Sequence, residues 1–220
     1  MRVNHVGALS LLMLAGAVGA NAQSSALPMP PRRFGFTLGA NSATVGGSDA
    51  QDAGRRTGLL AGALAVLPFS ATLAFQPEVA FTSKGASVAD PQDPGFSGAL
   101  KMTYLEIPAL LRFELAAATA GPHPFIYAGP ALAFKTSCDF EVKGPGVSAS
   151  SSCDNPDVNV KVNSTDFSLI GGAGIAFRTG GRTVGVAVRY DHSLSKISDQ
   201  GDIKHRVISI LGTIEFPSGR

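Results

Sequence analysis

Apolar and polar residues alternate along residues 100–115, which predicts one long β-strand. The odd positions Leu105, Ile107, Ala109, Leu111 and Phe113 are apolar, and the even positions Tyr104, Glu106, Arg112 and Glu114 are polar or charged. Successive side chains of a strand point to opposite faces, so this strand has one apolar and one polar face. A tilted strand needs about 9–11 residues to cross a bilayer, and this stretch is long enough.

The same alternation, interrupted by turn residues, predicts eight strands in the chain. Their ranges are 34–42, 57–67, 72–86, 100–115, 123–137, 164–179, 182–194 and 204–216. Small and apolar residues occupy both faces of the second strand, so its inward face is not assigned. Gly180-Gly181 between the sixth and seventh strands is typical of a two-residue hairpin turn.

The predicted connections alternate between long and short. The long ones are 43–56, 87–99, 138–163 and 195–203, and the short ones are 68–71, 116–122 and 180–181. In an up-and-down barrel alternate connections emerge at opposite ends, and outer-membrane barrels have short periplasmic turns and long extracellular loops. The pattern therefore predicts an all-β fold: an eight-stranded antiparallel up-and-down transmembrane β-barrel in the bacterial outer membrane, in contact with its lipid.

Two further features of the strands carry predictions. Aromatic residues fall near both strand ends, which predicts two interfacial girdles; the set comprises Phe34, Phe36, Phe69, Phe75, Phe113, Phe125, Tyr127, Phe177 and Phe216 at one end and Phe81, Tyr104, Phe134, Phe167 and Tyr190 at the other. Pro77, Pro108 and Pro130 lie inside strands, where proline removes a ladder hydrogen bond. We expect bulges or kinks at one common height.

Composition supports export to a membrane. Charged residues make up 15% of the chain and there are 26 glycines, yet no apolar run long enough for a membrane helix follows the N-terminus. Residues 1–22 have the features of a secretory signal peptide: Arg2, an apolar run over 6–18, and Ala20-Asn21-Ala22. The predicted organisation is then a disordered periplasmic leader (23–33), the barrel domain (34–216) and a short tail (217–220).

Charge and cysteine content narrow the classes of function. Removing Arg2 with the signal leaves 17 of the 18 basic residues against 16 acidic ones, a balance that argues against nucleic acid as a partner. The two cysteines, Cys138 and Cys153, are predicted to form one disulfide that staples the longest loop. Closing a loop of about 16 residues would stabilise it by about 3 kcal/mol in the chain-entropy model. No motif for a metal or another cofactor is present.

Several short motifs together resemble the PorT-like outer-membrane β-barrel family. They are Gln76-Pro77-Glu78 with Lys84-Gly85-Ala86, Tyr104-Leu105-Glu106-Ile107-Pro108 with Leu110-Leu111-Arg112-Phe113, Ala128-Gly129-Pro130, the glycine-rich run 171–177, Arg189-Tyr190 and Arg206-Val207. The resemblance covers the mature chain and implies an eight-stranded barrel, with secretion-associated members and no established catalytic site. The chain departs from the pattern in the four residues after Phe216 and in its cysteine-containing loop.

The alternation also predicts charged side chains inside the barrel. The set is Glu78, Glu106, Arg112, Glu114, Arg178, Arg189 and Glu215. Eight strands leave a lumen that side chains can fill, and buried charges need partners. We therefore expect an ion-pair network that plugs the lumen, and no catalytic residues. The predicted role is structural, or secretion-associated as the resemblance implies, with a protein partner contacted through the extracellular loops.

Two alternatives remain open at this stage. Some outer-membrane barrels are lipid-modifying hydrolases that use Ser, His and an acid; here Asp191, His192 and Ser193 are adjacent, and neighbours in a strand point to opposite faces, so they form no triad by themselves. His123 and His205 are expected to be solvated at the rims. A secreted lipocalin-like barrel also has eight strands but would place its apolar faces inward.

Overall fold

The computed structural model describes residues 29–48, 54–89, 95–115, 121–153, 155, 162–198 and 201–218. The predicted signal peptide (1–22), residues 23–28 of the predicted leader and the last two residues of the tail lie outside this part of the chain. Within it, no helix is long and apolar enough to span a membrane.

The fold is a closed antiparallel barrel of eight strands with a ninth, short strand at one edge. The strands are β1 (Arg33–Gly46), β2 (Arg56–Pro68), β3 (Leu73–Ala89), β4 (Ser97–Glu114), β5 (Pro122–Gly144), β6 (Val147–Ser152), β7 (Thr165–Thr179), β8 (Arg182–Ser193) and β9 (Lys204–Pro217). Neighbours follow the order β4-β3-β2-β1-β9-β8-β7-β5-β6, and pairing of β4 with β5 closes the cylinder. The predicted eight-stranded barrel is confirmed.

The described strands agree with the predicted alternation of connections. Those after β2, β4 and β7 are short and share one end of the barrel, the short-turn end; those after β1, β3, β6 and β8 share the opposite, long-loop end. Gly180 and Gly181 join β7 to β8 with φ angles of 55° and 76°. Both angles lie in the left-handed region that glycine adopts without strain, as a two-residue hairpin turn requires.

The outer surface of the barrel is apolar. Leu38, Val186 and Ile210 are 65%, 57% and 62% exposed, whereas the alternate positions of the same strands are buried. In β2, whose faces the sequence leaves unassigned, Leu60, Leu64 and Val66 point inward. The lipocalin-like alternative requires the opposite arrangement, with apolar faces inside and charges outside, and the described strands do not have it.

Three aromatic residues that were assigned to the interfacial girdles lie inside the barrel instead. Tyr104, Phe125 and Tyr127 are buried, because each lies on the inward face of its strand. Gly172 and Gly174 on β7 make room for two of these rings: a Cβ on either glycine would come within 2.5 Å of the Tyr127 or Phe125 ring. The glycine-rich run therefore serves to pack inward aromatic rings.

The ladders are interrupted beside each strand proline, but no register shift occurs there. The β2–β3 pairing skips from Leu64↔Glu78 to Leu67↔Phe75, and the β3–β4 and β4–β5 pairings skip two pairs each beside Pro108 and Pro130. All three resume in register. The predicted common height is found, since Pro77 pairs with Ala109 and Ala109 faces Pro130 in the β4–β5 register. The register shift that the β4–β5 pairing does show lies away from the prolines, between Thr103 and Tyr104.

The longest predicted loop contains regular structure. Strand β5 continues to Gly144, ten residues beyond Phe134, where its pairing with β7 ends, and returns as β6. The two strands pair from Asp139↔Ser152 to Gly144↔Val147, and β4 pairs with the other edge of β5 from Ser97↔Lys143 to Met102↔Cys138. We call these parts of β4, β5 and β6 the projecting sheet, because β5 and β6 extend past the last pair between β5 and β7, Phe134↔Thr165. On its other side β4 stays paired with β3 as far as Ala89↔Ser97.

Candidate functional site

Buried ion pairs fill the short-turn end of the barrel. Arg112 on β4 donates from Nη1 to Glu215 Oε1 at 2.9 Å, and its Nε lies 3.1 Å from Glu114 Oε1. Arg33 on β1 bonds to the same two carboxylates, with its Nε 2.7 Å from Glu215 Oε2. The Arg112 guanidinium also lies 3.8 Å from the centroid of the Phe125 ring. Two cations and two carboxylates balance each other in this group.

A second pair lies midway along the lumen. Arg189 Nη2 donates to both oxygens of Glu78 at 2.7 Å, and its Nε lies 3.3 Å from Tyr127 Oη. Gln76 joins this pair to the first group, because its amide nitrogen donates to Glu78 at 2.6 Å while its oxygen accepts from Arg112 at 3.0 Å. The hydrogen bonds are thus continuous from the short-turn end to the middle of the barrel.

Lys84 organises a third group nearer the long-loop end. Its ammonium lies 2.6 Å from Asp191, 2.8 Å from Glu106 and 3.5 Å from Asp166. Ser193 donates a further hydrogen bond to Asp166. Lys84 is fully buried, and the three carboxylates are almost as completely enclosed. One cation therefore faces three carboxylates. The Lys84 group has an excess of acidic side chains, whereas the two groups nearer the short-turn end are balanced.

An apolar cluster follows the Lys84 group toward the long-loop end. It contains Met102, Tyr104, Ala133, Cys138, Cys153 and Ile197, with Val45, Leu100, Val162 and Ile203 packed against it. Tyr104 links the two groups: the Lys84 ammonium lies 5.6 Å from its ring centroid, and its hydroxyl lies 3.4 Å from His205 Nε2. These apolar side chains come both from the barrel strands and from the connecting segments at the long-loop end.

Six of the seven predicted interior charges are brought together in these groups. The six are Glu78, Glu106, Arg112, Glu114, Arg189 and Glu215. Arg178 is different: it shares the inward face of β7, but it lies at the short-turn rim and is exposed. An inward position at the end of a strand does not ensure burial, and Arg178 takes no part in the described ion pairs.

Sequence analysis missed four charged members of the network. Lys84 and Asp191 lie on the inward faces of β3 and β8, so the alternation could have identified them. Arg33 is the first residue of β1, one position before the predicted start, and Asp166 is the second residue of β7. Residues at strand ends have too few neighbours in the pattern to fix their face.

The residues considered for hydrolysis are not assembled into a triad. Asp191 and Ser193 point into the lumen, whereas His192 lies on the outer face with its ring stacked against Tyr190. The expectation that His123 and His205 are solvated at the rims is wrong: His123 is 9% and His205 1% exposed, because both lie on inward faces. Among the described residues, no group of three or more His, Cys, Asp or Glu side chains is arranged to hold a metal ion.

Cys138 and Cys153 form a disulfide with a Cα–Cα distance of 5.4 Å. Cys138 lies in β5, and Cys153 directly follows β6 and donates its backbone N–H to the Cys138 carbonyl at 3.0 Å. The cysteines therefore continue the β5–β6 ladder by one pair and close it at its base. Both sulfurs belong to the apolar cluster, so the disulfide anchors the projecting sheet to the barrel.

Comparison with solved structures found several outer-membrane proteins. Neisserial surface protein A has 16% sequence identity over 84% of this chain and 97% of its own, with a TM-score of 0.49. OprG from Pseudomonas aeruginosa has 14% identity over 85% and 95%, with a TM-score of 0.49. Ail of Yersinia pestis, in complex with the heparin analogue sucrose octasulfate, has 14% identity over 85% and 100%, with a TM-score of 0.41.

A family model gives the decisive match. No curated protein matches the sequence significantly, but the model of the outer membrane protein beta-barrel domain matches residues 21–199, most of the chain. The finer resemblance to PorT-like barrels stays a prediction. The protein therefore belongs to the outer membrane protein beta-barrel domain family and is located in the bacterial outer membrane.

Proposed function

We propose that this protein is a non-catalytic outer-membrane barrel that holds a projecting sheet at the cell surface for contact with another protein. The observation that carries the proposal is the attachment of that sheet: β5 continues out of the barrel wall without a break, and the Cys138–Cys153 bond fastens the returning strand at its base. A disulfide removes conformational freedom from the segment it closes. A surface held in one shape loses less entropy when a partner binds.

The barrel interior supports an anchoring role in preference to transport. Three groups of buried charges and an apolar cluster follow one another along the lumen. The interior of an eight-stranded barrel is just wide enough for its own inward side chains to fill it. In the proposal the lumen is plugged, and the outer belt of apolar side chains contacts the lipid of the membrane.

Planar-bilayer recordings test the plugged interior. The purified protein, inserted at a known number of barrels, should produce no large, stable conductance steps. The matched comparison is the double substitution Glu78→Ala and Arg189→Ala, which removes the charge pair from the middle of the lumen without changing net charge. Large and stable openings of the unsubstituted barrel would refute the plug.

Site-specific photo-crosslinking in intact cells tests the contact function. A photoreactive residue at Ser148, on the exposed strand β6, should form discrete crosslinks to another protein. The same residue at Ile210, on the outer face of β9, controls for contacts within the membrane. A variant in which a two-residue turn replaces 139–152 should insert normally and lose the function for which the crosslinked partner is needed. An absence of protein crosslinks from Ser148 would contradict the proposal.

A further inference from the structure

A cavity of about 330 Å³ lies at the short-turn end of the barrel, beside the hairpin turn between β7 and β8. Arg178, Thr179 and Arg182 line it from the hairpin, and Pro31 and Pro217 line it from the segment before β1 and the end of β9. We call it the rim cavity. Its volume is at the lower end of the range for small-molecule sites, so it is large enough to hold a small polar group.

Main-chain hydrogen bonds hold both walls of the rim cavity. Thr179 pairs with Arg182 as the last pair of the β7–β8 ladder. The β1–β9 ladder is continued past its last pair by the Ser218 N–H, which donates to the Arg32 carbonyl at 2.8 Å. A site whose walls are fixed before binding loses less entropy when a ligand enters it.

Two guanidinium groups in the rim cavity have no carboxylate partner among the described residues. The ion pairs described at this end use Arg33 and Arg112 as their cations, whereas Arg178 and Arg182 are exposed and belong to none of these pairs. The planar fork of an arginine fits the oxygens of a phosphate group in a bidentate manner. The two side chains therefore offer a site for an anion that carries several oxygens.

The sequence at the short-turn end supplies no spare acidic side chain. The stretches around the short turns, before β1 and after β9 contain six arginines but only two acidic residues, Glu114 and Glu215, and both lie in the ion pairs with Arg33 and Arg112. These stretches are 29–36, 66–75, 111–126, 175–185 and 213–220. The excess of cations attracts anions from outside the barrel to this end.

The rim cavity borders the lipid-facing surface of the barrel. The Arg182 guanidinium lies 5.4 Å from the centroid of the Phe216 ring, and Phe34, Phe177 and Phe216 are exposed on the outer face of β1, β7 and β9. Aromatic girdles of outer-membrane barrels lie at the interfaces between lipid and water, so the Phe216 ring marks the level of the headgroups. Phospholipid phosphates are the anions that surround a barrel at this level.

We propose that the rim cavity binds the headgroup of an anionic phospholipid of the periplasmic leaflet, with its phosphate held by Arg178 and Arg182. The proposal concerns the end of the barrel opposite the projecting sheet and does not rest on the contact function. A headgroup without an ammonium is favoured, because an ammonium would bring a further positive charge to a site that already has two. The acyl chains of the lipid then lie along the outer face beside Phe177 and Phe216.

Amide chemical shifts measured by NMR test the lipid site. The barrel in zwitterionic detergent micelles is titrated with short-chain phosphatidylglycerol, and the amides of Gly180 and Gly181, which line the rim cavity, report binding. We expect saturable shifts with this lipid and about tenfold weaker binding of phosphatidylcholine of the same chain length, whose headgroup carries a cation. Inorganic phosphate and a capped tetraglutamate peptide at the same concentration should shift these amides little, because neither has acyl chains that pack against the barrel.

Substitution of the two arginines separates the rim cavity from general charge attraction. Arg178→Gln with Arg182→Gln should weaken phosphatidylglycerol binding by about tenfold. Arg55→Gln with Arg206→Gln changes the net charge equally at exposed positions of the long-loop end and should leave binding intact. A chain that ends at Ser218 should also bind as before, because the residues proposed to hold the headgroup all precede it. Amide shifts within β8 report whether each variant keeps the barrel.

A second variant places an anion inside the rim cavity. Thr179→Glu adds a carboxylate beside the two arginines and should compete with the lipid phosphate, so that phosphatidylglycerol binds less tightly. Thr179→Gln has nearly the same size without the charge and should bind as the unsubstituted barrel does. Thr179 is exposed at the turn, so neither substitution disturbs the lumen.

Three results would overturn the inference: equal binding of the two lipids, unchanged binding after the loss of both arginines, or equal weakening by the long-loop control. Saturation by inorganic phosphate at the same concentration would show a site for soluble phosphate. Tighter binding of the tetraglutamate peptide would show a site for an acidic protein segment. Either of these last two outcomes excludes a lipid headgroup as the ligand.

Discussion

Arg112 Nη1 lies 2.9 Å from Glu215 Oε1 and connects β4 to β9, two strands that are not neighbours in the barrel. The contact crosses the lumen, and both side chains are at least 98% buried. Each group is charged and shielded from water, so each needs the other to offset its lost hydration. Contacts of this kind hold opposite walls of the cylinder at a fixed distance.

Arg112→Ala should destabilise the barrel by about 3–5 kcal/mol, because it leaves Glu215 and Glu114 with only Arg33 as a buried cation. Urea unfolding in lipid vesicles measures the free energy of unfolding. Arg182→Ala is the control: Arg182 is exposed, with its guanidinium 5.4 Å from the Phe216 ring centroid, and its loss should change little. Equal effects of both substitutions would contradict a structural role for the lumen pairs.

Lys84→Met should be more damaging at pH 8 than at pH 5. The substitution removes the ammonium and leaves Glu106, Asp166 and Asp191 close together and buried. Protons bound at lower pH neutralise carboxylates and reduce their mutual repulsion, so part of the lost stability should return. Unfolding measured at both pH values, relative to the unsubstituted barrel, gives the difference.

Lys143→Met is the control for the Lys84 substitution, since Lys143 is exposed on the projecting sheet. It should show the same stability as the unsubstituted protein at both pH values. A loss of stability in Lys84→Met that is independent of pH would indicate that lost packing, and not the unbalanced negative charge of the three buried carboxylates, dominates.

The Cys138→Ser and Cys153→Ser double substitution should loosen the projecting sheet and leave the barrel closed. The disulfide fastens β6 at its base, and its loss should lower the local stability of the β5–β6 hairpin by about 3 kcal/mol. Hydrogen exchange should then accelerate in 139–152, while amides of β8 and β9 keep their rates. Faster exchange throughout the barrel would show that the bond stabilises the whole fold.

Ile210→Arg should impair insertion and cost about 2–4 kcal/mol in vesicles, as expected for a cation on the lipid face near the middle of a barrel. Ile210 is 62% exposed and lies midway along β9. Leu194→Arg, just beyond β8 at the long-loop end, should cost about 0–1 kcal/mol. If Ile210→Arg costs no more stability than Leu194→Arg, Ile210 does not face lipid.

The alternation along the chain was sufficient to predict the barrel and the orientation of most side chains. Leu111 and Arg112 are adjacent, yet one is 51% exposed and the other 2%, and the sequence pattern already separates them. Such a pattern works because lipid and a polar lumen select opposite residue types at successive positions. In β2 small and apolar residues occur on both faces, so the pattern does not show which face of that strand points inward.

The sequence could not predict the projecting sheet or the pairing inside the lumen. Strand β6 is exposed on both sides, so no difference in environment imposes an alternation on its serines. The contacts of Lys84 join β3 to β4, β7 and β8. Which charges meet depends on the strand stagger around the cylinder, and a single strand carries no information about it.

The ladder gaps beside Pro77, Pro108 and Pro130 have a consequence for how the wall of the cylinder can deform. At this height the three ladders that join the four adjacent strands β2, β3, β4 and β5 each lack two residue pairs, and hydrocarbon cannot replace the missing donors. We therefore expect heating to separate the wall of the barrel first in this region, between neighbouring strands from β2 to β5.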